Sequence, residues 1–248
     1  MDNVFEQVEK NIDNLVRNSV DWTASATKEE LEAARKGDVR LRFGNREVPK
    51  KWLQNLKGLR VLCLAGAGGL QAPLFACAGA EVTVIDLSEE MLAKDRVIAE
   101  RENLTMNIIK GNMCDLSGFK DESFDMIFNP PSLMYVPNVS AVFRECHRVL
   151  EKFGEMIMIA PAPIQYTCDW TEDEQGGYYR AVNRMPWCSR DKDDSGWIEY
   201  GHTMDEYLGG LIRSGFVLDG YLESQGEDIT DLWFITRAVK PEFDGGMI

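Results

Sequence analysis

The chain has 248 residues, 44% of them apolar and 27% charged, with a formal net charge of −14. That length and balance suit a single α/β domain with extensions and a sizeable core. No run approaches the roughly 18 consecutive apolar residues of a membrane span, and the acidic balance argues against a nucleic-acid partner, which needs clustered Lys and Arg.

The N-terminal stretch MDNVFEQVEKNIDNLV has no apolar signal core, so a cytoplasmic location is expected. Within it, Val4, Val8, Ile12 and Leu15 recur at three- and four-residue spacing and predict an amphipathic helix over 3–17. Thr27 with Glu30 three residues on is a capping-box start for a short second helix reaching about Lys36, with Trp22 between the two. Residues 1–50 therefore read as a helical extension, followed by Trp52 and Leu53 just ahead of the first strand.

The stretch 59–88, LRVLCLAGAGGLQAPLFACAGAEVTVIDLS, organises the rest. Its opening run through Leu64 is short, apolar and suited to a strand buried on both faces. Gly66-Ala67-Gly68-Gly69 then lets the backbone turn sharply and approach a ligand. Leu70 to Ala78 predicts a helix, in which Pro73 is tolerated near the first turn. A second strand, Glu81 to Leu87, carries Asp86 about 20 residues after Gly66, the spacing at which a carboxylate accepts ribose hydroxyls. A dinucleotide fingerprint would have a third glycine where this chain has Gln71, which argues against NAD or FAD.

Val61-Leu62-Cys63-Leu64-Ala65-Gly66-Ala67-Gly68-Gly69 resembles the first motif of class I S-adenosylmethionine (SAM)-dependent methyltransferases, usually VLDLGCGTG. Cys63 stands where an acid is common and Ala65 where a glycine is. The best match is a bacterial subgroup of unassigned substrate that reads LASGGGQQ here. The resemblance runs from about Trp52 to Arg237 and implies a Rossmann-like, doubly wound, seven-stranded sheet, mostly parallel, with an antiparallel last strand. It implies SAM as cofactor and S-adenosylhomocysteine as product, and the N-terminal extension as a lid over the site. Ala65, Gly66, Ala67, Gly68, Asp86 and Leu87 are then cofactor-binding candidates.

Downstream, Ser88 caps a helix to about Glu102, and Met91 on it is a further cofactor candidate. Strand three, Thr105 to Lys110, ends in Gly111-Asn112-Met113-Cys114-Asp115-Leu116, which resembles the family's GDAxDL. There Asn112, in place of the usual acid, would accept the adenine amino group through its side-chain carbonyl, with Met113 and Cys114 beside the ring and Asp115 as a competing acceptor. Strand four, Phe124 to Phe128, delivers Asn129-Pro130-Pro131-Ser132 to the strand end where ligands bind. Asn129 is a cofactor candidate, and the segment also resembles the NPPY motif of methyltransferases acting on amide or amino nitrogen, without its aromatic fourth residue. In the more ordinary reading it is a loop facing the methyl group, with Tyr135 as a pocket wall.

A helix over Val139–Leu150 leads to strand five, Met156 to Ile159, and then to a variable insertion over 161–201. Tyr166, Trp170, Tyr178, Tyr179, Trp187 and Trp197 crowd it among acids, which suits a flat or cationic small-molecule acceptor or, equally, a lid with its own small core. Thr203 caps a helix over Met204–Ser214, and His202 before it is a candidate general base, with Tyr135 the other catalytic candidate. Phe216–Leu222 and Asp231–Arg237 predict the last two strands, and Pro241–Ile248 an irregular tail. The six cysteines form no C-x-x-C pair and only two histidines exist, so free buried thiols are expected and no metal site. The sequence leaves two other functions open, an N-methyltransferase working through the NPP segment and a non-catalytic SAM-binding protein.

Overall fold

The apolar run at 60–64 forms the buried strand its composition predicts, and its neighbours alternate strand and helix around it. The computed structural model describes residues 2–18, 24–189, 196–225 and 232–242. Helices α1 (Asp2–Arg17) and α2 (Lys28–Arg35) come first, the second opened by a reciprocal capping box between Thr27 and Glu30. A small hairpin of β1 (Arg42–Phe43) and β2 (Arg46–Glu47) follows. The central alternation is β3 (Arg60–Leu64), α3 (Gln71–Cys77), β4 (Glu81–Asp86), α4 (Glu89–Glu102), β5 (Met106–Lys110), β6 (Phe124–Asn129), α5 (Val139–Val149) and β7 (Leu150–Pro161).

After β7 come a short α6 (Ile164–Thr167), a hairpin of β8 (Cys168–Asp173) and β9 (Gly176–Ala181), and a second pair, β10 (Trp187–Cys188) and β11 (Tyr200–Gly201). A π-helical turn at Asp205–Gly209 runs into α7 (Gly210–Arg213), and β12 (Val217–Gln225) and β13 (Leu232–Val239) close the fold. The main sheet is ordered β12-β13-β7-β6-β3-β4-β5. Strands β3 to β7 pair in parallel, and β13 inserts antiparallel between β7 and β12.

Alternation along β3 explains why both faces are covered. Val61 and Cys63 point into a core with Leu74, Phe75, Val84 and Leu92, beneath α2, α3 and α4. Leu62 and Leu64 point the other way, among Ile127, Phe143, Tyr207 and Leu211, beneath α5 and α7. These four side chains are fully buried, the three aliphatic ones each contributing about 1.5–3 kcal/mol relative to exposure.

Three predicted elements differ in detail. Strand five is longer than Met156–Ile159, because residues 155–161 pair with β13 on one side while 155–158 pair with β6 on the other. The helix predicted at 204–214 begins as a π-turn around Gly209 and Gly210, residues that hold an α-helix weakly. The insertion, in which the sequence predicts no strands, holds two antiparallel strand pairs. Trp22, the middle of the loop between β12 and β13, and the tail from residue 243 lie outside the described residues. No helix among the described residues is long and apolar enough to cross a membrane.

Candidate active site

At the carboxyl ends of β3, β4, β5 and β6 a cavity of about 70 Å3 opens, lined by Ala65, Ile85, Asp86, Leu87, Met91, Gly111, Met113, Pro131, Ser132 and Tyr135, with Val8 and Ile12 of α1 across its mouth. Parallel strands end there together, so four connecting loops converge on one spot. The first loop leaves β3 through Ala65, at φ +49°, and turns at Gly68 (φ +117°) and Gly69 (φ +77°). A Cβ on Gly69 would lie 2.6 Å from Ser25 Oγ and 3.1 Å from Ile98, so the turn is both left-handed and packed against α4.

Asp86 is the polar centre of the cavity. Its Oδ1 accepts the Ser88 N–H at 2.9 Å and its Oδ2 the Ala67 N–H at 3.4 Å. Burial pushes its carboxyl up to about 6, against the pull of those N–H groups. Ser88 caps α4, accepting the Met91 N–H at 3.1 Å, while its hydroxyl donates to Asp13 of α1 at 2.6 Å. That contact ties the N-terminal helix to the rim of the site.

Of the cofactor candidates, Ala65, Asp86, Leu87, Met91 and Met113 line the cavity. Gly66, Ala67 and Gly68 form the turn beside it. Asn112 spends its side-chain carbonyl on the Cys114 N–H at 2.9 Å, and Asp115 is exposed, accepting the Ser117 N–H. The GDAxDL-like segment thus reaches the cavity through Gly111 and Met113 rather than through Asn112, Cys114 or Asp115. Asn129 is fully buried, and its amide donates to the Leu64 carbonyl at 2.9 Å and to Ser132 Oγ at 2.8 Å. Ser132 in turn donates to the Pro130 carbonyl at 3.1 Å. Of the two acceptors that an NPPY-type grip would use, the Pro130 carbonyl is taken by Ser132, while Asn129 Oδ1 is buried with no hydrogen-bond partner among the described residues.

Tyr135 lines the cavity, edge-on to Trp197 with ring centroids 6.0 Å apart, and burial raises its phenol. The structure does not bring His202 to the cavity. Its ring is buried, and Nε2 lies 3.2 Å from the Leu133 carbonyl and 3.0 Å from that of Val136, so the proton it carries there is donated to backbone. Burial lowers its pKa, which keeps the imidazole neutral. In this position His202 clasps the loop after β6. The six insertion aromatics divide: Tyr166 stacks on Trp187 at 5.2 Å and Trp197 faces Tyr135, whereas Trp170, Tyr178 and Tyr179 sit on the outer hairpin, the first two 55% and 43% exposed.

Two features escaped sequence reasoning. Val8 and Ile12 were legible as an apolar stripe but not as cavity wall. Asp95 of α4 is fully buried, its Oδ2 accepting the Gly68 N–H at 2.9 Å. The available signal was an acid on the stripe Met91, Leu92, Asp95, Ile98, the buried face of α4.

Comparison with known proteins agrees with this geometry. Residues 62–158 match the family model described as a methyltransferase domain. The chain is 37% identical to the uncharacterized methyltransferase YbaJ of Bacillus subtilis over 243 residues, covering 92% of this chain and 95% of that protein. It is 28% identical over 137 residues to the ubiquinone biosynthesis O-methyltransferase of Xanthomonas oryzae, 55% of this chain and 54% of that one. Among solved structures, an S-adenosylmethionine dependent methyltransferase from Mesorhizobium loti superposes with a TM-score of 0.65 at 24% identity, over 77% of this chain and 94% of that chain.

Proposed function

Since the chain belongs to the class I SAM-dependent methyltransferases, we propose that it methylates an oxygen, nitrogen or sulfur atom of a small molecule. The observation that carries the reading is Asp86, a buried carboxylate at the end of β4 that faces a largely apolar cavity beside the glycine turn. That residue set fits a nucleoside carrying a cationic side arm. Asp86 would accept ribose hydroxyls, and Ile85, Leu87, Met91 and Met113 would sandwich a base. A pyrophosphate fits poorly, because Gly68, whose N–H it would seek, already donates to Asp95.

SAM, when bound, supplies a methyl group on a positively charged sulfur. The chain's residues then act by placement. The glycine turn and Asp86 fix the donor end, Tyr135 and Trp197 wall the acceptor end, and Val8 and Ile12 close the mouth against water. Alignment and water exclusion suffice for much of the acceleration when the donor is already activated. With His202 donating to backbone, a proton released by the acceptor would pass to solvent or to Glu199, a partly buried acid beside Trp197 whose carboxyl burial raises. The Xanthomonas relative is named for O-methylation in ubiquinone biosynthesis, which favours a hydroxyl acceptor among the three.

The test is incubation with methyl-labelled SAM and a panel of phenols, thiols and amines, following S-adenosylhomocysteine release. Acceptor-dependent release with label in a small molecule supports the reading. Label appearing only in added protein or nucleic acid contradicts it.

A further inference from the structure

The glycine turn is gripped from two sides. On one, Ser25 Oγ donates to the Gly68 carbonyl at 2.8 Å and the Ala26 N–H to the Gly69 carbonyl at 2.8 Å. On the other, Asp95 takes the Gly68 N–H at 2.9 Å. Both glycine carbonyls and the Gly68 N–H are thus engaged. The second oxygen of Asp95, Oδ1, is buried and has no hydrogen-bond partner among the described residues. A carboxylate in this state costs free energy unless a positive charge comes near. Facing it are Asp86 from β4, which is negative, the Cys63 thiol from β3, and Arg96 on α4, which offsets part of the charge. Asp13 from α1 adds a further negative charge beside Asp86.

Resting on the reading above, we propose that Asp95 is a specificity-determining residue whose buried charge makes the site select the cationic donor over its neutral thioether product and over phosphate-bearing nucleosides. The Gly68 N–H that a phosphate would use is taken, and a negative charge stands behind it. A sulfonium, by contrast, brings the positive charge that this pair of carboxylates lacks. Burial and the neighbouring Asp86 push Asp95 up to about 7, so it is part-protonated near neutral pH. Entry of a cation draws it into the ionised form, and a proton leaves. A neutral thioether exerts no such pull at the sulfur.

The experiment is calorimetric titration at pH 7 of SAM, S-adenosylhomocysteine and ADP-ribose into the wild type and Asp95→Asn, in two buffers of different ionisation enthalpy. Asparagine keeps a carbonyl for the Gly68 N–H and removes the charge. The wild type should release more protons on binding SAM than on binding the thioether, and should bind ADP-ribose weakly or not at all. In D95N that proton release should fall, and SAM affinity should drop about tenfold more than thioether affinity. Equal weakening of both ligands, or equal proton release by both in the wild type, would overturn this inference and leave the methyltransferase reading standing. The wild-type proton count needs no variant, so it decides the matter even if D95N is unstable. Tight ADP-ribose binding with no SAM binding would overturn both.

Discussion

On its donor side the cavity is walled by the ends of parallel strands, where Ile85 pairs with β3 and β5, Asp86 pairs with Lys110, and the Gly111 N–H donates to the Asp86 carbonyl. On its acceptor side it is walled by Tyr135, whose own support is a loop clasped by His202 and a two-residue strand pair carrying Trp187 and Tyr200. Farther out, the β8–β9 hairpin leaves Trp170 half in water. The contrast teaches where each half's order comes from. The donor half takes its shape from the central sheet and spends its buried polar groups on shaping one turn. The acceptor half takes its shape from side chains that bridge separate loops, an arrangement that can change without disturbing the sheet.

If the donor half is as tightly determined as this, Gly69→Ala should show the largest effect. The added Cβ meets Ser25 and Ile98 at a φ of +77°, so a loss of about 3 kcal/mol is expected in denaturant melts, with weakened SAM binding. A loss below about 0.5 kcal/mol would mean that the turn is loose.

On the acceptor side, His202→Ala should cost about 2 kcal/mol of stability, because the buried carbonyls of Leu133 and Val136 lose a donor. If His202 acts as a clasp, the pH profile of turnover keeps its shape in this variant. Loss of the acidic limb near neutrality, where protonation would silence a base, would instead make His202 the base.

A subtler difference is one of pH. The folded-state pKa of Asp95, about 7, and that of Asp86, about 6, lie above the ordinary 3.8. The native state therefore binds more protons than the unfolded state between about pH 4 and 7, and these two groups lower stability as pH rises through that window. Asp95→Asn should accordingly raise the melting temperature of the ligand-free protein at pH 8, by about 2–4 °C for each kcal/mol relieved, and raise it by less than half as much at pH 5. An equal shift at both pH values would contradict the buried charge.

The smallest effect is expected at the outer hairpin. Trp170→Ala should change stability by less than about 0.5 kcal/mol and leave SAM affinity unaltered. A weakened affinity would show that the hairpin folds onto the donor site.

The same contrast governs what the sequence disclosed. The β3 run, the glycine turn and Asp86 could be read because the signals are local: a short apolar strand, missing side chains, and an acid at fixed spacing on the next strand. The antiparallel placement of the last strand followed from the resemblance to a known fold. Asp95 was harder to read because its one local signal, a place on the stripe of Met91, Leu92 and Ile98, is set among four further acids of α4, Glu89, Glu90, Glu100 and Glu102. His202 was read as a base because its type and position suggest one, yet its partners lie 66 and 69 residues away. The insertion's aromatics looked alike in sequence, and only the pairing of β8 with β9 and of β10 with β11 divides them into outer and inner sets.

The most direct test of the donor site is calorimetric titration of SAM into the wild type and Asp86→Ala. A carboxylate accepting ribose hydroxyls predicts micromolar-range binding that the variant weakens about tenfold or more, as expected for hydrogen bonds to a charged group. Unchanged affinity in Asp86→Ala, or no SAM binding by the wild type, would contradict the assignment of this cavity to the methyl donor.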